Sequence, residues 1–339
     1  LLVYKKNDSW IALTGQDVKI TVEDISFGLR SLGIEEKSNI SILSNNSPKW
    51  AMCDYGIICS AMTTVTIYPT LIASQVEYIL NNSNSKLVFV ENQEQLVKIK
   101  GCIDKLDDLK YIVVLDDSCK EETDHIFNFV TLLDKGKSFS QTSDYSFEDM
   151  ILTIQDTDTL TLIYTSGTTG VPKGVVLTHK NLLSNVIGTL KVAEFTENET
   201  FLSFLPLSHV LERMGGHYTA FTVGATIYYA ENMETIAANM VEAQPTIVVC
   251  VPRVFEKIHA KFIDGINSTD RPTVSSATAD KADGWWGPSS DGLPIQIQLE
   301  TSVDITVDVT AGTPSISLQT GDVTGSATYS GVSGTTLSF

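Results

Sequence analysis

The stretch Thr161-Leu-Ile-Tyr-Thr-Ser-Gly-Thr-Thr-Gly-Val-Pro-Lys-Gly-Val-Val-Leu-Thr178 joins two apolar runs through a loop rich in glycine and hydroxyl residues. The apolar runs predict two short strands. Glycine permits positive φ, so consecutive backbone N–H groups in the loop can converge on one anion, and the hydroxyl groups add further donors. Lys173 supplies a positive charge, and Pro172 stiffens the turn. This composition predicts a loop that binds the phosphates of a nucleotide.

This loop has two alternative interpretations. A solvent-exposed hairpin with a chance excess of glycine and threonine is the plainer one, and for a generic short stretch it is favoured. The ordered combination of ten residues from Thr165 to Gly174 disfavours it here. The loop also differs from the P-loop of nucleotide triphosphatases, in which Gly-Lys-Ser/Thr leads directly into a helix. In this chain Lys173 precedes Gly174 and a strand-like run, with a helix only after Thr178.

Upstream of the loop, predicted strands and helices alternate with short connections. Thr21 is predicted to cap a first helix that ends at Gly33, and Ser47-Pro48 to open a second that runs to about Ala61. Further strands are predicted at Asn39–Leu43, Thr63–Ile67, Leu87–Val90 and Tyr111–Leu115, and further helices at Ile72–Leu80 and Gln93–Ile99. This alternation predicts an α/β fold of mainly parallel sheets with helices on both faces.

The loop from Thr165 to Gly174 resembles the phosphate-loop signature of the AMP-forming (adenylate-forming) acyl-CoA synthetase superfamily. A second segment, Leu202-Ser-Phe-Leu-Pro-Leu-Ser-His-Val-Leu-Glu-Arg-Met214, is similar to the next core motif in the form found in long-chain fatty acid–CoA ligases. Shorter similarities lie at Ile67–Thr70, Gln75–Leu80 and Val251–Ile258. The resemblance runs from Trp10 to about Ile266, and it implies the N-terminal part of the adenylate-forming synthetase fold.

The resemblance also implies a reaction and its participants. Such enzymes activate a carboxylate with MgATP to an acyl-adenylate and transfer the acyl group to coenzyme A. ATP, Mg²⁺ and coenzyme A are therefore the implied cofactors, and a fatty acid is the implied substrate, while no residue is assigned as a metal ligand. Lys173 and His209 are the implied catalytic residues, with His209 lining the acyl and adenylate pocket. The residues implied to bind the ATP phosphates are Thr165, Ser166, Gly167, Thr168, Thr169, Gly170 and Lys173.

Plainer roles remain open for several of these side chains. His209 could be a hydrogen-bonded structural histidine. Glu212 and Arg213 follow on the same predicted helix turn, where a surface ion pair worth under about 1 kcal/mol is one interpretation. His217, Tyr218 and Phe221 fall at helical spacing, so a stripe facing the core is favoured over the wall of a fatty-acid tunnel.

The charge of the chain excludes some classes of partner. It carries 23 Lys plus Arg against 41 Asp plus Glu, a net charge of −18, which disfavours nucleic acid and polybasic membrane anchoring. No apolar run reaches the roughly 20 residues of a membrane span, and Leu1–Asp8 does not read as a signal peptide. Five cysteines without ligand-like spacing predict reduced thiols. We therefore expect a cytoplasmic protein, with peripheral contact to a membrane left open.

Composition changes near Asn267, where a tail rich in serine and threonine begins. Period-two alternation at Ile295–Leu299 and Val303–Val309 predicts half-buried strands, and the tail resembles β-sandwich repeats of bacterial surface proteins. The predicted organisation is an AMP-binding domain at 1–266, a junction at 267–294 and a β-rich partial repeat at 295–339. Motifs that the family carries further along are not recognised in the tail. The expectation is therefore a truncated, chimeric and catalytically incomplete chain.

Two classes of function follow from the sequence. The first is a long-chain fatty acid–CoA ligase, and the second is a surface binding or adhesion module contributed by the tail. Within the enzyme class, an aryl-CoA ligase or an adenylation domain is a further alternative, which the form of the Leu202–Met214 motif disfavours.

Overall fold

A computed structural model describes residues 1–119, 121–144, 146–165, 171–254, 256 and 259–260, together with the backbone of short strands between 276 and 338. The chain divides into two units, Leu1–Cys250 and Val251–Phe339. The predicted domain boundary at residue 266 stays a prediction. Among the described helices, none has both the length and the apolar character needed to cross a membrane.

The first unit alternates strands and helices along most of its length. Its strands are β1 (Leu2–Lys6), β2 (Ser9–Leu13), β3 (Asn39–Leu43), β4 (Thr63–Ile67), β5 (Leu87–Val90), β6 (Tyr111–Val114), β7 (Ile126–Asn128), β8 (Thr159–Thr165), β9 (Lys173–Thr178), β10 (Thr200–Ser203) and β11 (Thr226–Tyr229). Its α-helices are α1 (Gly15–Ser31), α2 (Pro48–Cys59), α3 (Ala73–Asn82), α4 (Gln93–Lys100), α5 (Phe129–Ser140), α6 (Phe147–Leu152), α7 (His179–Val192), α8 (Thr219–Thr222) and α9 (Ile236–Ala243). A 3₁₀ turn lies at Ile103–Lys105 and a π-helical turn at Glu212–Tyr218.

A seven-stranded sheet forms the centre of this unit, with the strand order β7-β6-β5-β3-β4-β8-β9. Neighbouring strands run parallel from β7 to β8, and β9 returns antiparallel to β8. The predicted α/β architecture with parallel sheets is therefore confirmed. Because the parallel strands end at one edge, the segments that follow β3, β4 and β8 emerge on the same side of the sheet, where ligands of such folds commonly bind.

Helices cover both faces of this sheet. On β5, Leu87 and Phe89 pack into one apolar core, which includes residues of α1, α2 and α5. Their neighbours Val88 and Val90 pack into a second core with residues of α3 and α4. Burial on both faces explains why β5 and β6 are continuous apolar runs rather than alternating ones.

A smaller sheet, which the sequence analysis did not predict, holds the amino terminus. Its order is β10-β11-β1-β2, with β1 parallel to β11 and antiparallel to β2. The strand pair β10–β11 flanks the second motif and the π-helical turn, so this sheet supports one side of that region.

The predicted start of the first helix was wrong. The helix begins seven residues earlier, because Thr14 and Asp17 form a capping box in which each side chain binds the other residue's backbone N–H. Thr21 lies inside α1, where its hydroxyl donates to the Asp17 carbonyl at 2.8 Å. The predicted end is correct, since α1 ends at Ser31 and Gly33 follows with a φ of +70°.

The second unit is described only through short strands. They are β12 (Ser276–Ala279), β13 (Ile297–Glu300), β14 (Ile305–Asp308), β15 (Ser315–Thr320), β16 (Val323–Thr328), β17 (Gly331–Ser333) and β18 (Thr336–Ser338). They pair antiparallel as β12–β13, β14–β15–β16 and β17–β18. Apart from β12, the junction predicted at 267–294 lies outside the described residues. That the tail is an independent β-rich repeat stays a prediction.

Candidate functional site

The predicted phosphate loop connects β8 to β9, the last two strands of the central sheet. Thr165 ends β8 and stands opposite Lys173, the first residue of β9, and both side chains are exposed. The five residues predicted to bind phosphate between them (Ser166, Gly167, Thr168, Thr169 and Gly170) lie outside the described residues. The structure thus brings Thr165 and Lys173 together at the two ends of the loop.

Two tyrosines that sequence reasoning missed support the hairpin. The Tyr78 hydroxyl donates to the Pro172 carbonyl oxygen at 3.1 Å, and the Tyr164 hydroxyl donates to Asn82 Oδ1 at 2.7 Å. The two rings meet edge to face, with 6.5 Å between their centroids. Gly174 lies against Tyr164, where an added Cβ would come within 3.1 Å of the ring. Burial raises the pKa of Tyr164 to about 12, so its hydroxyl stays a proton donor at neutral pH.

The second motif crosses the carboxyl ends of β3 and β4. After β3, Asn46 Nδ2 donates to the Leu205 carbonyl oxygen at 2.6 Å, and Asn46 Oδ1 accepts the Leu207 N–H at 2.8 Å. At the end of β4, the Thr66 hydroxyl donates to the Ser208 carbonyl oxygen at 3.0 Å. Because β4 also pairs with β8, the motif and the phosphate loop lie at the same edge of the sheet.

His209 is exposed and has a defined local hydrogen bond. Its Nδ1 accepts the Leu211 N–H at 3.2 Å. When the ring is neutral this bond places its proton on Nε2, so the second nitrogen can donate. The geometry fits a structural histidine and also a histidine that presents Nε2–H to a ligand. The roles predicted for His209 and Lys173 stay predictions.

The interpretation of Glu212 and Arg213 as a surface ion pair was wrong for both residues. Arg213 is 1% exposed and pairs with Asp54 in α2. Its Nε donates to Asp54 Oδ2 at 2.8 Å, and its Nη2 donates to Asp54 Oδ1. The partner lies 159 residues away along the chain, so no local spacing could have revealed it.

Four donors satisfy the Asp54 carboxylate in this buried cluster. Besides the two guanidinium bonds, the Thr64 hydroxyl donates to Oδ1 at 2.7 Å and the Tyr218 hydroxyl to Oδ2 at 2.6 Å. The remaining guanidinium nitrogen, Arg213 Nη1, donates to Thr161 Oγ1 at 2.7 Å. A carboxylate has about four acceptor positions, and all are used here. The acceptor positions of the carboxylate are thus filled and each guanidinium nitrogen donates at least one hydrogen bond, which is the kind of pairing under which a buried ion pair is tolerated.

Glu212 is buried without a comparable set of donors. It is 0% exposed, and neither of its carboxyl oxygens has a hydrogen-bond partner among the described residues. Burial raises the pKa of Glu212 to about 8, and the nearby Ser203 hydroxyl offsets this only in part. A Cβ on Gly216 would come within 2.7 Å of Glu212 Oε1, so the glycine makes room for this carboxyl group. At neutral pH the side chain is mainly the uncharged acid.

The predicted stripe of His217, Tyr218 and Phe221 is buried only in part. His217 and Tyr218 are 2% and 8% exposed, whereas Phe221 is 42% exposed. The His217 ring lies between two tyrosine hydroxyls, with Nε2 at 2.7 Å from Tyr229 Oη and Nδ1 at 3.3 Å from Tyr55 Oη. Burial lowers the pKa of His217 to about 4, so the ring is neutral at physiological pH.

Comparison with known proteins places these features in a family. The model of the AMP-binding enzyme family matches residues 2–303. Long-chain-fatty-acid–CoA ligase ACSBG2 of Xenopus laevis is 32% identical over 268 residues, which are 77% of this chain and 36% of that protein. The human protein of the same name is 30% identical over 263 residues, covering 76% and 39%. The chain thus spans less than two fifths of the length of these relatives.

Solved structures agree with the fold. The N-terminal domain of FACL13 from Mycobacterium tuberculosis, in an inhibitor-bound crystal structure, superposes with a TM-score of 0.62 at 21% identity, covering 76% of this chain and 60% of that one. The adenylation domain of a carboxylate reductase from Mycobacterium chelonae superposes with a TM-score of 0.67 at 17% identity, and the match covers 80% of this chain and 46% of that one. These identities support the fold alone. With the family match over most of its length, the chain belongs to the AMP-binding enzymes, as the resemblance of its motifs had indicated.

Proposed function

We propose that the chain provides the ATP-binding part of a long-chain fatty acid–CoA ligase. One observation carries the proposal: the β8–β9 hairpin, with Thr165 and Lys173 at the ends of its loop, lies at the same sheet edge as the motif that contains His209. The relatives named as long-chain-fatty-acid–CoA ligases support the substrate class. They give no support to the surface-binding alternative.

The chemical difficulty in this reaction is electrostatic, because a carboxylate must approach the α-phosphate of a polyanion. In the proposed arrangement, loop donors from Thr165 to Gly170 and the charge of Lys173 hold the β- and γ-phosphates while pyrophosphate leaves. Mg²⁺, when bound, would neutralise part of the phosphate charge, and it commonly takes few ligands from the protein in nucleotide sites. In the described part of the chain no three His, Cys, Asp or Glu side chains form a ready metal cluster. Coenzyme A would then accept the acyl group.

His209 would line the acyl and adenylate pocket in this scheme. Its Nδ1 is bonded to the Leu211 N–H, which leaves Nε2–H as the group available to an oxygen of the bound carboxylate or adenylate. The domain organisation we propose keeps residues 1–266 as the AMP-binding part, followed by the junction at 267–294 and the tail at 295–339.

Binding measurements on the whole chain test the proposal. Lys173→Ala should weaken ATP binding about 10- to 100-fold, which is the effect of losing one charge-assisted contact to phosphate. AMP lacks the β- and γ-phosphates, so its affinity should change much less. Lys180→Ala is the matched control, because this exposed lysine in α7 pairs with Asp156 outside the hairpin. Titration calorimetry measures the affinity of the wild type and of both variants for ATP and for AMP.

Equal losses for ATP and AMP in the Lys173→Ala protein would count against a role for Lys173 at the β- and γ-phosphates. The aryl-CoA ligase and adenylation-domain alternatives are separated by substrate. Long-chain fatty acids, benzoate and amino acids are each tested for stabilising the wild-type chain in the presence of ATP and Mg²⁺. A preference for benzoate or amino acids would overturn the long-chain assignment.

A further inference from the structure

The Arg213 guanidinium connects the two motif segments inside the protein. The backbone N–H of Arg213 donates to the His209 carbonyl oxygen at 3.2 Å, so Arg213 belongs to the helical turn that follows His209. Its Nη1 donates to the hydroxyl of Thr161 in β8 at 2.7 Å. Thr161 lies four residues before Thr165, about 13 Å along the strand from the start of the phosphate loop.

This contact belongs to a chain of directional hydrogen bonds. Thr161 is 0% exposed. Its hydroxyl accepts the bond from Arg213 and donates to the Thr64 carbonyl oxygen at 2.7 Å. Arg213 therefore fixes the motif against α2 through Asp54 and against β8 through Thr161. The planar guanidinium has donors at fixed angles, and a lysine could not reproduce all three bonds.

Because burying charge is costly, the role that this cluster fits best is to hold the surrounding elements in one arrangement. A buried ion pair adds little net stability over an apolar replacement of the same shape, because both ions lose their hydration. Removing one partner is nevertheless expensive, so the pair holds its elements in one arrangement. The elements held here are the strand that leads into the phosphate loop and the turn that carries His209.

We propose that Arg213 is a positioning residue that couples the β8–β9 hairpin to the His209 segment through Thr161. Displacement of either segment breaks the same hydrogen bond, so ordering one segment favours order in the other. The proposal rests on the proposed function only in taking ATP as the ligand of the loop.

Hydrogen exchange on the full 339-residue chain tests the coupling without a ligand. Arg213→Lys should speed amide exchange in the peptide 159–178 about fivefold, although the substitution lies outside it. Thr161→Val should speed exchange in 205–213 by a similar factor, and Thr161→Ser, which keeps the hydroxyl, should restore the wild-type rate. Tyr218→Phe is the matched control, because it removes a bond to Asp54 and leaves the Arg213–Thr161 bond intact.

A second measurement adds ATP. Thr161→Val should weaken ATP binding about three- to tenfold, whereas Thr161→Ser and Tyr218→Phe should bind like the wild type. If Tyr218→Phe speeds exchange in 159–178 as much as Arg213→Lys does, the cluster is only structural and the proposal is overturned. If Thr161→Val leaves 205–213 unchanged, it is overturned as well. A wild-type chain that does not bind ATP contradicts the proposed function instead, and the exchange data then decide the coupling alone.

Discussion

At the scale of single residues, Glu212 and His217 share one π-helical turn and respond oppositely to burial. The Glu212 carboxyl has its pKa raised to about 8 from 4.5, and the His217 ring has its pKa lowered to about 4 from 6.5. Both side chains are therefore mainly uncharged near pH 7. π-helical turns are rare and occur often at functional sites, and this one follows directly on the His209 segment.

The two shifts predict how stability depends on pH. A carboxyl that holds its proton more tightly in the folded state makes the free energy of unfolding fall as pH rises from about 4.5 to 8. A histidine that holds its proton less tightly in the folded state makes the free energy of unfolding rise as pH increases from about 4 to 6.5. The two slopes cancel between about pH 4.5 and 6.5, so the effect of Glu212 is seen by itself only above pH 6.5.

The wild type should therefore lose stability as pH rises from 6.5 to 8, and Glu212→Gln should not show this loss. With a slope of about 1.4 kcal/mol per pH unit, the wild type should lose about 2 kcal/mol relative to the variant between pH 6.5 and 8. Urea unfolding at several pH values measures the difference. Glu194→Gln, at an exposed position, controls for the change in net charge. If the free energy of unfolding depends on pH in the same way for the wild type and for Glu212→Gln, the Glu212 carboxyl is already ionised in the folded protein at pH 6.5.

Residue-scale features of the site were only partly open to sequence reasoning. The phosphate loop and His209 could be predicted because the motifs that suggest them are runs of consecutive residues, and their roles stay predictions. The buried partners of Arg213, which are Asp54 and Thr161, lie 159 and 52 residues away and are determined by the fold. The burial of Glu212 was missed for a different reason, since a charged residue on a predicted helix is usually exposed.

At the scale of elements, α1 and α5 pack closely through two glycines. A Cβ on Gly136 would come within 1.9 Å of the Asp24 carbonyl oxygen, and one on Gly28 within 2.7 Å of the Leu132 carbonyl oxygen. Each contact is with backbone, which cannot rotate away. The two helices can therefore approach this closely only because both positions lack a side chain.

Gly136→Ala should destabilise the protein by about 3 kcal/mol, at the upper end of the usual cost of overpacking. The control is Gly188→Ala in α7, where the added methyl group meets nothing within 4 Å. That substitution should stabilise the protein by up to about 1 kcal/mol, because alanine is the better helix former. Thermal unfolding measures both. A Gly136→Ala protein as stable as the wild type would show that the helices separate at little cost.

The elements that the sequence predicted best are those with an unambiguous local signal. The observed strands β3, β4 and β5 have the predicted bounds, because each is a short segment rich in β-branched or apolar residues between turns. The start of α1 was missed because Thr14 and Thr21 are both plausible caps with an aspartate three positions later, Asp17 and Asp24, so the local pattern does not separate them. The four-stranded sheet was missed because β1 pairs with β11, more than 200 residues away, and a local sequence pattern cannot predict that pairing.

At the scale of the whole molecule, the described apolar cores are built from the first unit. Their buried members and the residues packed against them come from Leu2 to Ile247. The last contact in this set is the pairing of Phe201 in β10 with Ile247, just before the division after Cys250. The division after Cys250, together with the proposed boundary at 266, leads us to predict that the first unit folds from residues up to about 266.

A chain ending at Ile266 should then unfold cooperatively, with a Tm within about 3 °C of the full chain, the shift expected for a change of about 1 kcal/mol at this size. A chain ending at Asp304 is the second variant, because the family match ends at residue 303. A chain ending at Ala230 is the opposite control, since it removes α9 and the Phe201–Ile247 pairing and should unfold at a much lower temperature. Loss of cooperative unfolding at Ile266 but not at Asp304 would place part of the first unit's support between those two residues, and the proposed boundary at 266 would have to move.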